Sequence, residues 1–164
     1  GKESLTSTEY GAWTVDLLNE YLNDSSPAKI PFLDDVIRLS LGGKSFKEGK
    51  GSQSFGILII ETDGEIRKND TLRSSYDGAD FFSVRENIKH TSLDKVLASQ
   101  EFKDVSELQK PSSKICTSCP DVNVCGGGMP LYRWSNDNGY NNPSVYCADH
   151  GLLIRQVKTL VGGE

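Results

Sequence analysis

The sequence predicts an α+β domain, and three observations carry that expectation. Two amphipathic helical stretches open the chain, and a β-branched run with an Asp-Gly turn follows. A loop-rich segment holding all four cysteines then ends in a long helical pattern. Residues 10–23 read as the first helix: Trp13, Leu17, Leu18, Tyr21 and Leu22 recur at three- and four-residue steps and form one apolar face. The run Asn23-Asp24-Ser25-Ser26-Pro27 ends it. Residues 32–41 form the second helix, with Leu33, Val36, Ile37 and Leu41 inward and Gly42-Gly43 as the stop. Asp34 and Asp35 lie near its start, where carboxylates favour the helix dipole and need no catalytic explanation. The Gly-, Ser- and Lys-rich residues 44–54 are expected to be a mobile linker.

A strand is predicted over residues 55–61. Thr62-Asp63-Gly64 supplies a tight turn and residues 65–68 return, making one β-hairpin. Residues 70–91 show little periodicity and read as loop with short extended pieces. Ser92 caps a short helix over 93–99, with Leu93, Val96 and Leu97 on one side. A further short helix covers 102–109 and ends before Pro111. Asn142 as cap and Pro143 as first helical residue predict a last helix over 143–160. It would bury Leu152, Leu153, Val157 and Leu160 and carry Cys147 in its first or second turn, where the dipole favours a thiolate.

The length, 164 residues, suits one well-packed domain or a main domain with a small helical appendage. The longest apolar run, Ile57-Leu58-Ile59-Ile60, is far too short to span a bilayer, and no charged-then-apolar leader is visible. A formal net charge of −5, with basic residues scattered among acidic ones, argues against nucleic acid as a partner. No Gly-x-Ser-x-Gly elbow or comparable nucleophile context appears, so no catalytic residue is assigned.

The chemistry concentrates at Cys116, Cys119, Cys125 and Cys147. The spacing C-x2-C-x5-C, three glycines and a distant fourth cysteine reads as a four-thiolate metal site. An even cysteine count also fits two disulfides, but clustering without a visible leader favours metal and a reducing, cytoplasmic setting. Soft thiolates suit zinc and a [4Fe–4S] cluster equally, and spacing alone does not separate them. A zinc ribbon usually repeats its knuckle, whereas here the fourth cysteine lies far off in a helix. That asymmetry tilts the reading toward iron–sulfur. Gly126-Gly127-Gly128 serve either a loop that needs positive φ or a close backbone approach to a cluster, and both hold together.

Cys116-x2-Cys119-x5-Cys125-Gly-Gly-Gly-Met129, then Tyr132-Arg133-Trp134, then Asn142 to Asp149, resembles the C-terminal SPASM region of radical SAM peptide maturases. The likeness is to the cyclophane-forming group, which cross-links side chains in ribosomally made peptides. The hairpin around Glu61 to Gly64, the run Asp70 to Arg73 and the helix around Trp13 fit the same region. The resemblance implies that the four cysteines bind one auxiliary [4Fe–4S] cluster, with zinc as substitute or alternative. It implies a radical SAM catalytic domain and a precursor peptide as partners. Residues 1–50 would be the helical segment following the barrel, and residues 51–164 the auxiliary-cluster domain. Met129 stands where many such proteins have another cysteine, and the hairpin lacks cysteines for a second cluster. No C-x3-C-x2-C motif is present, so S-adenosylmethionine would bind in a catalytic domain outside this sequence, and the chain is expected to be part of a longer enzyme.

Arg133 reads either as a contact to the cluster or a peptide carboxylate, or as an ordinary surface arginine. His150, three residues past Cys147, has a spacing that suits a ligand, but with four cysteines present it is expected on the helix surface, and His90 is expected to be exposed. Tyr132, Trp134, Tyr140 and Tyr146 concentrate aromatic rings near the cysteines, to shield the site or form a groove for peptide aromatics.

Overall fold

The computed structural model describes residues 4–54 and 56–162. Phe55, the expected first residue of the strand, lies outside the described residues. Helix α1 spans Glu9–Asn23 and α2 spans Pro31–Ser40. Strands β1 (Ile59–Ile60), β2 (Glu65–Arg67) and β3 (Glu86–Asn87) form an antiparallel sheet in the order β1-β2-β3. Short helices α3 (Leu93–Ala98), α4 (Gln100–Glu107), α5 (Lys114–Thr117) and α6 (Val122–Cys125) follow. The long α7 (Cys147–Leu160) closes the chain, and 3₁₀ turns cover Asp70–Ser74 and Pro130–Arg133. The architecture is α+β, as expected.

The main core joins α1, α2, α6 and α7 through Leu18, Leu33, Val36, Leu39, Val124, Leu153, Ile154 and Val157. A smaller core under the sheet joins Ile66, Phe82 and Val96, with Leu58 and Phe102 packed on it. The hairpin register pairs Ile59 with Arg67 and Ile60 with Ile66. The third strand is one of the short extended pieces expected within residues 70–91. Ser92 caps α3 as expected, its Oγ accepting from Lys95 N–H, and Ser99 repeats the device for α4 by accepting from Phe102 N–H at 3.2 Å. That second cap starts α4 at Gln100, two residues before the expected position.

Three helical expectations need correction. The buried face of α1 is Gly11, Thr14 and Leu18, while Trp13 is 58% exposed and Leu22 is exposed. Gly11, near the start of α1, packs on the Asp149 backbone of α7 and Trp13 faces outward, while Leu17 and Tyr21 stay half-buried against the main core as expected. In α2, Leu39 takes the inward place, and Leu41, beyond the last turn, is 65% exposed. Helix α7 begins at Cys147 rather than residue 143, and it buries Ile154 while Leu160 is exposed. Asn142 does not cap it. Its Nδ2 donates to Arg133 O at 2.8 Å, Gly139 O at 3.0 Å and Ser135 Oγ at 3.1 Å, which fixes a loop instead.

Beside the sheet, Arg73 Nε donates to Asp80 Oδ2 at 2.6 Å and Arg67 Nη1 donates at 3.3 Å. Among the described residues no helix is long and apolar enough to cross a membrane.

Candidate functional site

Each cysteine is positioned by a local device. Ser113 Oγ caps α5 by accepting from Cys116 N–H at 3.3 Å, and Cys119 N–H returns to Cys116 O at 3.0 Å, closing the first knuckle. Cys125 ends α6, and Cys147 is the first residue of α7, at the positive end of that helix. Cys116 is buried, Cys119 and Cys125 are half-buried, and Cys147 is exposed; none of the four is in a disulfide.

Gly126, Gly127 and Gly128 have φ of +65°, +77° and +71°, a left-handed run that L side chains rarely adopt. A Cβ at Gly126 would lie 2.7 Å from Gly51 O, and one at Gly127 would lie 2.6 Å from the Pro111 Cβ. Positive φ is borne out, and the close approach seen is to the protein's own chain. The approaching backbone is residues 49–51, which corrects the linker expectation. Residues 44–54 fold back as a strap over the turn that follows Cys125. Gly51 N–H donates to Val124 O at 3.2 Å, and Gly49 packs on the Gly128–Met129 backbone. Lys47 pairs with Asp35 at 2.7 Å, and Glu48 Oε1 accepts from Asn69 Nδ2 at 2.5 Å and Thr71 Oγ1 at 3.0 Å.

Electrostatically, Cys125 is the centre. Burial pushes its thiol up. The Gly127 N–H and the Lys50 ammonium oppose that, while Cys147 and Cys116 add to it as like charges. Three of the four cysteines therefore share one neighbourhood, with Cys119 on the knuckle beside Cys116. His150 is not on the helix surface. It is 8% exposed, with Nδ1 3.8 Å from Cys125 Sγ. Arg133 is not a surface residue either. It is 1% exposed and donates from Nη1 to Lys110 O at 3.2 Å and from Nη2 to Leu108 O. His90 is exposed, as expected.

The aromatic concentration divides in two. Trp134 packs with Tyr76 and Tyr140, each at 4.8 Å between centroids. Tyr146 packs with Tyr132 at 5.1 Å and Tyr10 at 5.5 Å. This second group lines a cavity of about 870 Å³ together with Phe32, Lys50 and Met129. Lys50 and the strap were missed by the sequence reading; the one available signal was the alternation of glycines at 49 and 51 around a lysine.

Among the described residues, no three His, Cys, Asp or Glu side chains converge as a ready-made metal site. The donor chemistry nevertheless fits a four-thiolate group. Four soft sulfurs form no disulfide, a glycine turn allows close approach, and an amide N–H points at Cys125.

The fold is that of a SPASM domain, as found in radical SAM peptide maturases. Solved structures of anSMEcpe match the chain. The form with bound AdoMet and Cp18Cys peptide matches at TM-score 0.76 and 18% identity, over 98% of this chain and 44% of that one. The form with AdoMet and Kp18Cys peptide matches at 0.73 and 18%, over 93% and 41%. The form with AdoMet alone matches at 0.73 and 17%, over 94% and 42%. The chain thus spans less than half the length of these solved chains. No family model matches the sequence, and no curated protein matches it.

Proposed function

We propose that this chain is the auxiliary iron–sulfur domain of a radical SAM/SPASM enzyme that cross-links side chains of a ribosomally made peptide. The observation that supports this reading is the SPASM fold carrying four cysteines outside disulfides, one of them leading into the Gly126–Gly128 turn. In this reading Cys116, Cys119, Cys125 and Cys147 hold one [4Fe–4S] cluster, which supplies one-electron acceptance when bound. The chain's own residues exclude water and set the electrostatics. Gly127 N–H and Lys50 favour the Cys125 thiolate, His150 covers it, and the strap closes over the turn. The cavity walled by Tyr10, Tyr132 and Tyr146 offers aromatic surface to the precursor peptide. Residues 1–50 serve as the helical segment after the catalytic barrel, and 51–164 as the cluster domain. S-adenosylmethionine belongs to that catalytic domain, in a cytoplasmic enzyme.

A zinc-stabilised interaction module is the second reading, because an all-thiolate donor set suits zinc as well. Anaerobic reconstitution with iron and sulfide separates the two. Elemental analysis and EPR of the dithionite-reduced protein should give about four iron and four sulfide per chain, lost in Cys116→Ala and Cys147→Ala. One tightly held zinc that iron does not displace would support the interaction module.

A further inference from the structure

Two cations lie against the cysteine segments without a carboxylate of their own among the described residues. Arg133 is the largest side chain in the fully buried set. Both its Nη atoms go to carbonyls, and its Nε has no hydrogen-bond partner among the described residues. Its ordinary counter-charge is missing: a buried guanidinium normally faces a carboxylate, and one left without an anion is strongly destabilising. Its surroundings explain what replaces it. The carbonyls it binds, of Leu108 and Lys110, precede the knuckle of Cys116, and its own carbonyl accepts from Asn142, which precedes Cys147. Arg133 thus ties together the segments that lead into two of the four cysteines.

Lys50 approaches from the strap. Its backbone is packed on Gly126, and its Nζ lies 4.3 Å over the Phe32 ring. Burial lowers both cations from their ordinary values. The first opposing groups are cysteines: Cys116 and then Cys125 for Arg133, Cys125 for Lys50. The nearest carboxylates come after these and are already engaged. Glu48 holds Asn69 and Thr71, and Asp35 holds Arg38 and Lys47.

We propose that Arg133 and Lys50 form a cationic cradle whose counter-ion is the four-thiolate group, making both positioning residues that set its reduction potential. This rests on the iron–sulfur reading above. Reduction adds one negative charge to the group, so cations beside it favour the reduced form and raise the potential. The sign follows: removing either cation lowers the potential.

The test is an EPR-monitored redox titration of the reconstituted chain, comparing the unaltered protein with Lys50→Gln, Arg133→Gln and Arg133→Lys, with iron and sulfide measured in each. Lys50→Gln and Arg133→Gln should each shift the reduced-to-oxidised ratio at fixed potential at least tenfold toward oxidised, about 59 mV for one electron. Arg133→Lys, which keeps the charge, should titrate close to the unaltered protein. Arg133→Gln also removes two carbonyl bonds and can lose the cluster. In that event Lys50→Gln decides, because the Lys50 side chain rests on a ring and ties no segment. A cluster-loaded Lys50→Gln that titrates with the unaltered protein overturns the cradle while leaving the cluster reading intact. An unaltered protein that takes up no iron and sulfide overturns both.

Discussion

Replacing Gly11 with alanine sets local propensity against packing and should be decided by packing. Gly11 is in the first turn of α1, where N–H groups lack intrahelical partners. Thr8, the formal cap, makes no side-chain cap bond; the Gly11 N–H instead donates to Asp149 Oδ1 of α7 at 2.8 Å. Asp149 is 1% exposed and lies in the first turn of its own helix, so one carboxylate serves the positive ends of two helices. Helix propensity alone favours alanine by at most about 1 kcal/mol. A Cβ at Gly11, however, would lie 2.8 Å from the Asp149 Cα and 3.0 Å from its carbonyl oxygen, which are backbone atoms that cannot step aside. Overpacking costs about 1–3 kcal/mol, and a weakened charge-assisted bond to a buried carboxylate costs about 1.5–3 kcal/mol more. The net expectation is a loss of about 2 kcal/mol or more, a fall in Tm of about 4–8 °C for a chain this size. Thermal unfolding by circular dichroism reads it. A Tm equal to or above that of the unaltered protein would refute the argument that α1 and α7 are held by backbone approach.

Gly127→Ala should lose about 2–4 kcal/mol, since its φ of +77° disfavours any Cβ and Pro111 blocks the space; denaturant midpoints test this. The acid limb of stability should depend on Asp80. Burial works to raise its carboxyl, but hydrogen bonds from Arg73 and Arg67 hold it below the usual carboxylate range. A folded-state value below the unfolded one means the contribution is complete above about pH 4 and lost as pH falls through the lowered value. Asp80→Asn should therefore be less stable at pH 7 and show a smaller fall in Tm between about pH 5 and pH 3 than the unaltered protein. Parallel curves would count against the pairing.

What was legible in the sequence was what local chemistry decides. Ser92 as a cap, the Asp63-Gly64 turn, and the apolar spacing of Leu33 and Val36 all act within a few residues of themselves. The four cysteines were equally legible as a soft-donor set. What escaped was decided by distant partners. Trp13 looked like core because periodicity counts large apolar residues, yet the approach to α7 selects Gly11 and Thr14 on another face. Asn142-Pro143 is a true helix-start signal, but the asparagine amide is taken by three acceptors in the preceding loop. His150 reads as helix surface because four cysteines already complete a ligand set, yet it is buried against Cys125 and the Gly128 turn. Composition made residues 44–54 a tether, because nothing in Gly, Ser and Lys content reveals a backbone waiting far along the chain.

That strap also governs how the protein can be divided. A fragment beginning just after Lys50 would keep every cysteine and every glycine of the turn, and would pass any inspection of its motif. It would still lack one wall of the cavity, the Gly49 backbone that packs on Gly128 and Met129, and one of two positive charges. The cysteine motif is therefore not a transplantable module. Its boundaries are three-dimensional, and its completion waits on chain that was made long before the first cysteine.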